Sequence, residues 1–243
     1  MPAERALWHR EQRDLEPQLS FIRNEFEAGF RLVARIDRPA ASVFGSARIG
    51  EDHPWYALAR AVGRSFAQAG WAVVTGGGPG LMEAANRGAK EAGGLSVGLG
   101  IHLPHEEGLN GWLDLSYDFQ HFYARKVCFV KASEGFVTLP GGWGTNDELF
   151  EALVLIQTAK IHHFPVVLLG DGHWTSFRQW SERMVADGTL APEDLDIVTF
   201  TDDPDEAVEI IVSAHANQAA QAAQRERIER AAARQAAAGG PTI

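Results

Sequence analysis

The chain has 243 residues, 45% of them hydrophobic and 22% charged, and 22 Lys and Arg against 32 Asp and Glu leave a formal net charge of −10. That length carries one large α/β domain or two small ones, each with a self-sufficient core, and the composition excludes wholesale disorder and fibrous repeats. The acidic balance argues against broad attachment to nucleic acid or to an anionic membrane.

The single cysteine, Cys128, can close no internal disulfide and no cysteine-based zinc site, as befits a reducing compartment. The N-terminal stretch MPAERALWHREQRD is charged throughout and lacks the apolar core of a leader. The longest apolar stretches, 149–156 and 166–169, fall far short of the roughly 18 residues that span a bilayer. The expectation is a soluble cytoplasmic protein.

Leu15, Leu19, Ile22, Phe26, Phe30 and Val33 recur at spacings of three and four, so residues 1–38 read as an N-terminal helical arm. From residue 40 short apolar runs alternate with helical stretches. A run at 40–44 ends at Gly45, a helix over 55–69 closes at Gly70, and a run at 71–75 enters Gly76. A helix over 81–92 closes at Gly93-Gly94 and precedes a run at 96–99. The irregular stretch 102–122 breaks the rhythm and holds a strand near 113–119. Then come a helix over 123–132, a strand at 135–139, a long helix over 145–160, a run at 165–169, a helix near 176–186, a run at 197–200 and a helix over 204–215. Strands apolar on both faces and joined through helices predict a doubly wound α/β parallel sheet with helices on both faces, filling residues 39–215. Ligands are expected at the carboxyl ends of its strands. Residues 216–243, rich in Ala, Gln and Arg, read as a polar tail, helical or disordered.

Two strands run directly into glycine clusters that precede helices: Gly76-Gly77-Gly78-Pro79-Gly80 and Pro140-Gly141-Gly142-Trp143-Gly144-Thr145. Glycine lets backbone approach a ligand closely, and a helix N-terminus offers unpaired N–H groups and a positive dipole end to an anion. A pair of such loops in one sheet points to phosphate or nucleotide binding rather than to tight turns alone. Neither loop is a P-loop, and neither has the third glycine of the dinucleotide fingerprint, so a kinase and a dehydrogenase are both disfavoured. Thr145-x-x-Glu148 has two readings. It forms a capping box for the helix that follows, or Glu148 faces the ligand from the first turn as base or charge stabiliser. Trp143 is either a pocket wall or an interface aromatic. His162-His163 suits a helix C-terminus, and no third ligand has matching metal spacing.

The string Pro140-Gly141-Gly142-x-Gly144-Thr145-x-x-Glu148, the upstream pair Arg125-Lys126, and Gly76-Gly77-Gly78-x-Gly80-Leu81-Met82 together resemble the LOG family of cytokinin riboside 5′-monophosphate phosphoribohydrolases, many of whose members carry a lysine decarboxylase label. The resemblance covers roughly residues 40–212. It implies a Rossmann-like fold, a homodimer or higher oligomer, and hydrolysis of the N-glycosidic bond of a nucleoside 5′-monophosphate such as AMP or an N6-substituted AMP. By the motif match Arg125 and Glu148 take the catalytic positions. Gly141, Gly142, Gly144 and Thr145 take the phosphate loop, with Gly76, Gly77, Gly78 and Lys126 beside the substrate. Glu106 or Glu107, in the segment after the third strand, matches a family carboxylate that contacts substrate. The chain departs from the commoner Met-His-x-Arg-Lys in having Phe122-Tyr123-Ala124-Arg125-Lys126.

Breaking a ribosyl C–N bond develops positive charge on the sugar and requires a water at the anomeric carbon, work suited to one carboxylate. Glu148 is expected to do this, with Arg125, always charged, orienting it or clamping phosphate. No metal and no cofactor is expected. The competing expectation is a non-catalytic nucleotide or cofactor carrier on the same scaffold.

Overall fold

The computed structural model describes residues 15–103, 108–162 and 164–238. Seven strands, β1 (Ala40–Phe44), β2 (Ala72–Thr75), β3 (Ser96–Ile101), β4 (Leu115–Phe119), β5 (Phe136–Thr138), β6 (Val166–Leu169) and β7 (Val198–Thr201), form one all-parallel sheet in the order β4-β3-β2-β1-β5-β6-β7. The chain steps outward from β1 to β4, then crosses back to lay β5 on the other side of β1. Ser42 accordingly lies beside Val74 on one flank and Phe136 on the other. Where the winding reverses, the connections leave in opposite directions and a crevice opens beyond the carboxyl ends of β1 and β5.

The helices are α1 (Leu15–Val33), α2 (Pro54–Gln68), α3 (Leu81–Glu91), α4 (Phe122–Ala132), α5 (Trp143–Gln157), α6 (Asp171–Ala186) and α7 (Pro204–Ala238), with a 3-10 turn at Pro192–Ile197 before β7. Alternation along the buried strands divides the core between the faces. Ala41 and Val43 pack with Val62 and Phe66 of α2, Leu81 of α3 and Ile211 of α7. Ala40 and Phe44 pack with Leu32 of α1, Phe129 of α4, Leu149 of α5 and Trp174 of α6. This is the Rossmann-like α/β architecture expected from the sequence.

Several boundaries move. α5 begins at Trp143 with Gly142 as its N-cap, and the Asn146 N–H donates to the Gly142 carbonyl at 3.0 Å. Thr145 is therefore inside the first turn, and its capping box with Glu148 does not form. α5 ends at Gln157, where the Thr158 hydroxyl donates to the Val154 carbonyl at 2.7 Å. His162 thus falls beyond the last turn, and His163 lies outside the described residues. α6 starts at Asp171 because Gly170 takes a left-handed φ of 99° and turns the chain straight into the helix. α7 runs on to Ala238. Among the described residues no helix is long and apolar enough to cross a membrane.

Candidate functional site

The exits of β1, β2 and β5 converge at the switch point. The Ser46 N–H, just past β1, donates to the Pro140 carbonyl at 3.1 Å, and the Ser46 carbonyl accepts the Leu81 N–H at 3.0 Å. The loop after β1 thereby ties the two glycine loops together around one crevice.

In the second loop the Thr145 side chain folds back beneath Gly141. A β-carbon at Gly141 would stand 2.1 Å from Thr145 Oγ1 and 2.5 Å from its Cβ, so this position has no room for one. Gly142 and Gly144 instead face open space. The amides of Trp143, Gly144 and Thr145 belong to the first turn, have no acceptor within the helix, and carry the positive end of the α5 dipole. A phosphate-sized anion fits such a terminus. Trp143 is 92% exposed at the rim.

The first loop is held from below by a buried polar chain. Thr75 Oγ1 accepts the Gly77 N–H at 2.9 Å and donates to Asn86 Oδ1 at 2.6 Å, while Asn86 Nδ2 donates to Ser96 Oγ at 2.9 Å. From the irregular stretch after β3, Asn110 closes over the loop. Its backbone N–H reaches the Gly77 carbonyl at 2.7 Å, and its Nδ2 lies 3.0 Å from the carbonyls of Gly77 and Gly78 and from Asn86 Oδ1. Because a trans peptide points its C=O and N–H in opposite directions, turning the Gly77 carbonyl to Asn110 aims the Gly78 N–H away from it. Sequence reasoning missed both asparagines. Asn86, a lone amide among the buried Leu81, Ala84, Ala85 and Ala89 of α3, carried a readable signal.

Arg125, on the buried side of α4, spans the two loops. Its guanidinium carbon sits 5.2 Å from the Phe122 ring centre and 5.6 Å from that of Phe129. Nη1 is 3.9 Å from the place a Gly76 β-carbon would occupy, and Nη2 donates to Glu148 Oε1 at 3.3 Å. Glu148 is 4% exposed. Burial raises its pKa above the ordinary carboxylate value, with Asp147 and Glu151 pushing the same way, while Arg125 and Lys126 pull it down. A carboxyl so placed takes and returns a proton closer to neutrality than an exposed one.

Lys126 turns to the outer side of the same contact. Its Nζ lies 3.0 Å from Asp147 Oδ2, 3.3 Å from Glu151 and 3.8 Å from Glu148. Burial opposes its charge, but these carboxylates outweigh it and hold the ammonium's pKa up. The structure therefore places Lys126 as the link between α4 and α5. Glu106 and Glu107 lie outside the described residues. Cys128 is buried, its thiol pushed up to about 11 by desolvation, which makes it an inert core side chain. Among the described residues no group of three His, Cys, Asp or Glu side chains is placed to hold a metal ion.

Fold and site together define a doubly wound α/β protein whose switch-point crevice joins a helix-N-terminal glycine loop to a buried guanidinium–carboxylate pair. The chain belongs to the LOG family: the family model described as "Possible lysine decarboxylase" matches residues 82–211. It is 32% identical over 155 residues to a rice protein named "Probable cytokinin riboside 5'-monophosphate phosphoribohydrolase LOGL5", covering 62% of each chain, so the match spans less than two thirds of that relative. It is 30% identical over 154 residues to the cytokinin riboside 5'-monophosphate phosphoribohydrolase of Mycobacterium marinum, covering 63% of this chain and 82% of that one. Among solved structures, the molybdenum cofactor carrier protein of Chlamydomonas reinhardtii superimposes with a TM-score of 0.55 at 26% identity, covering 74% of this chain and 99% of that one.

Proposed function

We propose that this protein hydrolyses the N-glycosidic bond of a nucleoside 5′-monophosphate, AMP or an N6-substituted AMP such as a cytokinin riboside monophosphate, releasing the free base and ribose 5-phosphate. The observation that carries this reading is the buried Arg125–Glu148 contact, 3.3 Å long, one and a half turns into the helix whose N-terminus forms the open glycine loop. The α5 amides and Gly141–Thr145 receive the phosphate, and that remote binding fixes the ribose. Glu148 faces the anomeric carbon. As the C–N bonding pair leaves with the base, the carboxylate stabilises the charge growing on the sugar and accepts a proton from the water that bonds to C1′. That proton then passes to the departing base, which leaves neutral and returns Glu148 to its ionised form. Arg125 orients the carboxylate and keeps enough of it ionised to act as a base.

The decarboxylase label finds no support in the lysines. Such chemistry uses a lysine able to form a Schiff base with pyridoxal phosphate, beside an acidic partner for the ring nitrogen. Of the chain's four lysines, Lys90 is paired with Asp114, Lys126 with the α5 carboxylates, Lys131 lies over the Phe30 ring, and Lys160 is exposed.

We also propose that the protein works as a homodimer or higher oligomer, through an apolar band on α4, α5 and α6 in which Phe122, Trp143, Phe150, Val154 and Trp180 are exposed. A solvent-facing apolar band of this kind is ordinarily covered by a partner.

The likeness to the Chlamydomonas carrier favours a second reading, a nucleotide-like cofactor carrier that needs no chemistry at Glu148. Incubation with AMP followed by chromatography separates the two. Appearance of adenine and ribose 5-phosphate supports the hydrolase, whereas tight AMP binding without cleavage supports the carrier.

A further inference from the structure

The arm that precedes the sheet reaches into the site's support. Glu25, in the middle of α1, is 1% exposed, a rare place for a carboxylate and one that demands partners. Its Oε1 accepts the backbone N–H of Gln120 and its Oε2 meets His121 Nδ1. The contact is a hydrogen bond between Glu25 Oε2 and His121 Nδ1. His121 is itself the N-cap of α4 and is buried, with its ring against Tyr123 and the edge of Phe21. Phe26 of α1 stacks on Tyr123, and α1 crosses so close to α4 that a β-carbon at Gly29 would stand 2.5 Å from Cys128 Sγ. The His121 carbonyl accepts the Arg125 N–H at 3.3 Å. One buried carboxylate on α1 thus fixes the two residues that enter α4, and Arg125 sits on the turn they define. All of α1 lies outside the segment that the family model matches.

We propose that Glu25 is a positioning residue for Arg125: through Gln120 and His121 it sets the entry of α4 and holds the guanidinium against Glu148. The arm is then part of the active site's scaffold. This rests on the hydrolase reading for its effect on rate, but not for its effect on geometry. The α5 amides that take the phosphate belong to another element, so loss of Glu25 separates turnover from binding.

The test compares Glu25→Ala, His121→Ala and His121→Asn with the unmodified full chain. Kinetics are measured on AMP at a temperature where thermal melts show each variant folded. Glu25→Ala and His121→Ala are expected to lower kcat about 10- to 100-fold, the scale of a misplaced catalytic group, with KM changed less than about twofold. His121→Asn, whose amide stands where Nδ1 does and can donate to Glu25, is expected to recover most of kcat. Folded Glu25→Ala with unchanged kcat, or His121→Asn no better than His121→Ala, would overturn the proposal. A crystal structure of a Glu25 variant reads the same point without turnover. Loss of the 3.3 Å contact between Arg125 Nη2 and Glu148 Oε1 supports it, and its retention overturns it. If Glu25→Ala does not fold, the same readings on Glu25→Leu decide, because leucine fills the space but accepts from neither Gln120 nor His121. The hydrolase reading fails separately, if the unmodified chain leaves AMP intact.

Discussion

The Thr145 side chain occupies the space that a β-carbon at Gly141 would require, 2.1 Å from its Oγ1. Threonine is stiff at χ1, and its Cβ, 2.5 Å from the same point, cannot rotate away, so the loop backbone would have to yield. Gly141→Ala is expected to destabilise the protein by about 1–3 kcal/mol, the usual range for overpacking. Urea denaturation of the two proteins measures it.

Gly144 offers the opposite case. It lies in the first turn of α5 with nothing near its missing side chain. For the fold alone, alanine is the better residue there by about 0.5–1 kcal/mol. If the bare backbone serves to admit a phosphate, Gly144→Ala raises the melting temperature while raising KM for AMP several-fold. A variant that is both more stable and unchanged in KM would remove this turn from the cradle.

Glu148 predicts the pH profile. As the proposed base it would act ionised, so kcat/KM is expected to fall tenfold per pH unit below its pKa, and burial places that limb above the ordinary carboxylate value of 4.5. Glu148→Gln is expected to lower kcat by about 10²–10⁴ and to abolish the limb. Arg125 pulls this pKa down, so Arg125→Met is expected to move the limb of the residual activity to higher pH. The same group bears on stability with a definite sign. A carboxyl whose folded pKa is raised disfavours the folded state as it ionises. Its contribution is thus most favourable below the ordinary value and is lost as pH rises through the raised one.

The sheet was legible because parallel strands covered on both faces are written as apolar runs, and Ala72–Thr75 and Val166–Leu169 have no other use. The glycine loops and the Arg125–Glu148 pair were legible as motifs. The start of α5 was not, because Gly142-Trp143-Gly144 is poor helix sequence and Thr145 resembles a cap. Tertiary packing of Thr145 under Gly141 overrides that local preference. Long-range polar pairings left no local trace either. Glu25 stands at i, i+4, i+7 with Gly29 and Leu32 on the face that α1 buries, a face that the apolar positions Leu15, Leu19 and Phe30 do not mark, and its partner His121 stands 96 residues away.

Asn110 tests the first glycine loop. It satisfies the carbonyls of both Gly77 and Gly78, which the loop's tight turn leaves without strand partners. Asn110→Ala strands the Gly78 carbonyl, while Gly77 keeps the residue-110 backbone N–H and Asn86 Oδ1 keeps the Thr75 hydroxyl, at an expected cost of about 1–3 kcal/mol. Because the latch also directs the Gly78 amide, KM for AMP is expected to rise alongside. A thermal melt and a Michaelis curve on one preparation separate the two effects, and unchanged KM in the destabilised variant would confine Asn110 to the fold.

The apolar band on α4 to α6 carries the last prediction. Val154 and Trp180 are 54% and 50% exposed, Trp180 packs edge-on against Phe150, and these two rings line, with Phe122 and Trp143, a hollow of about 800 Å³. A charge at either half-exposed position costs far less in a free monomer, where it stays hydrated, than in a packed interface, where it is desolvated. Val154→Asp and Trp180→Asp are therefore expected to shift the protein to monomer in sedimentation equilibrium while leaving the fold intact by circular dichroism. Trp143 lies at both the band and the second glycine loop, so dissociation is expected to reach the site as well, as a higher KM for AMP in the monomeric variants. Variants that stay associated would assign this band to something other than self-association.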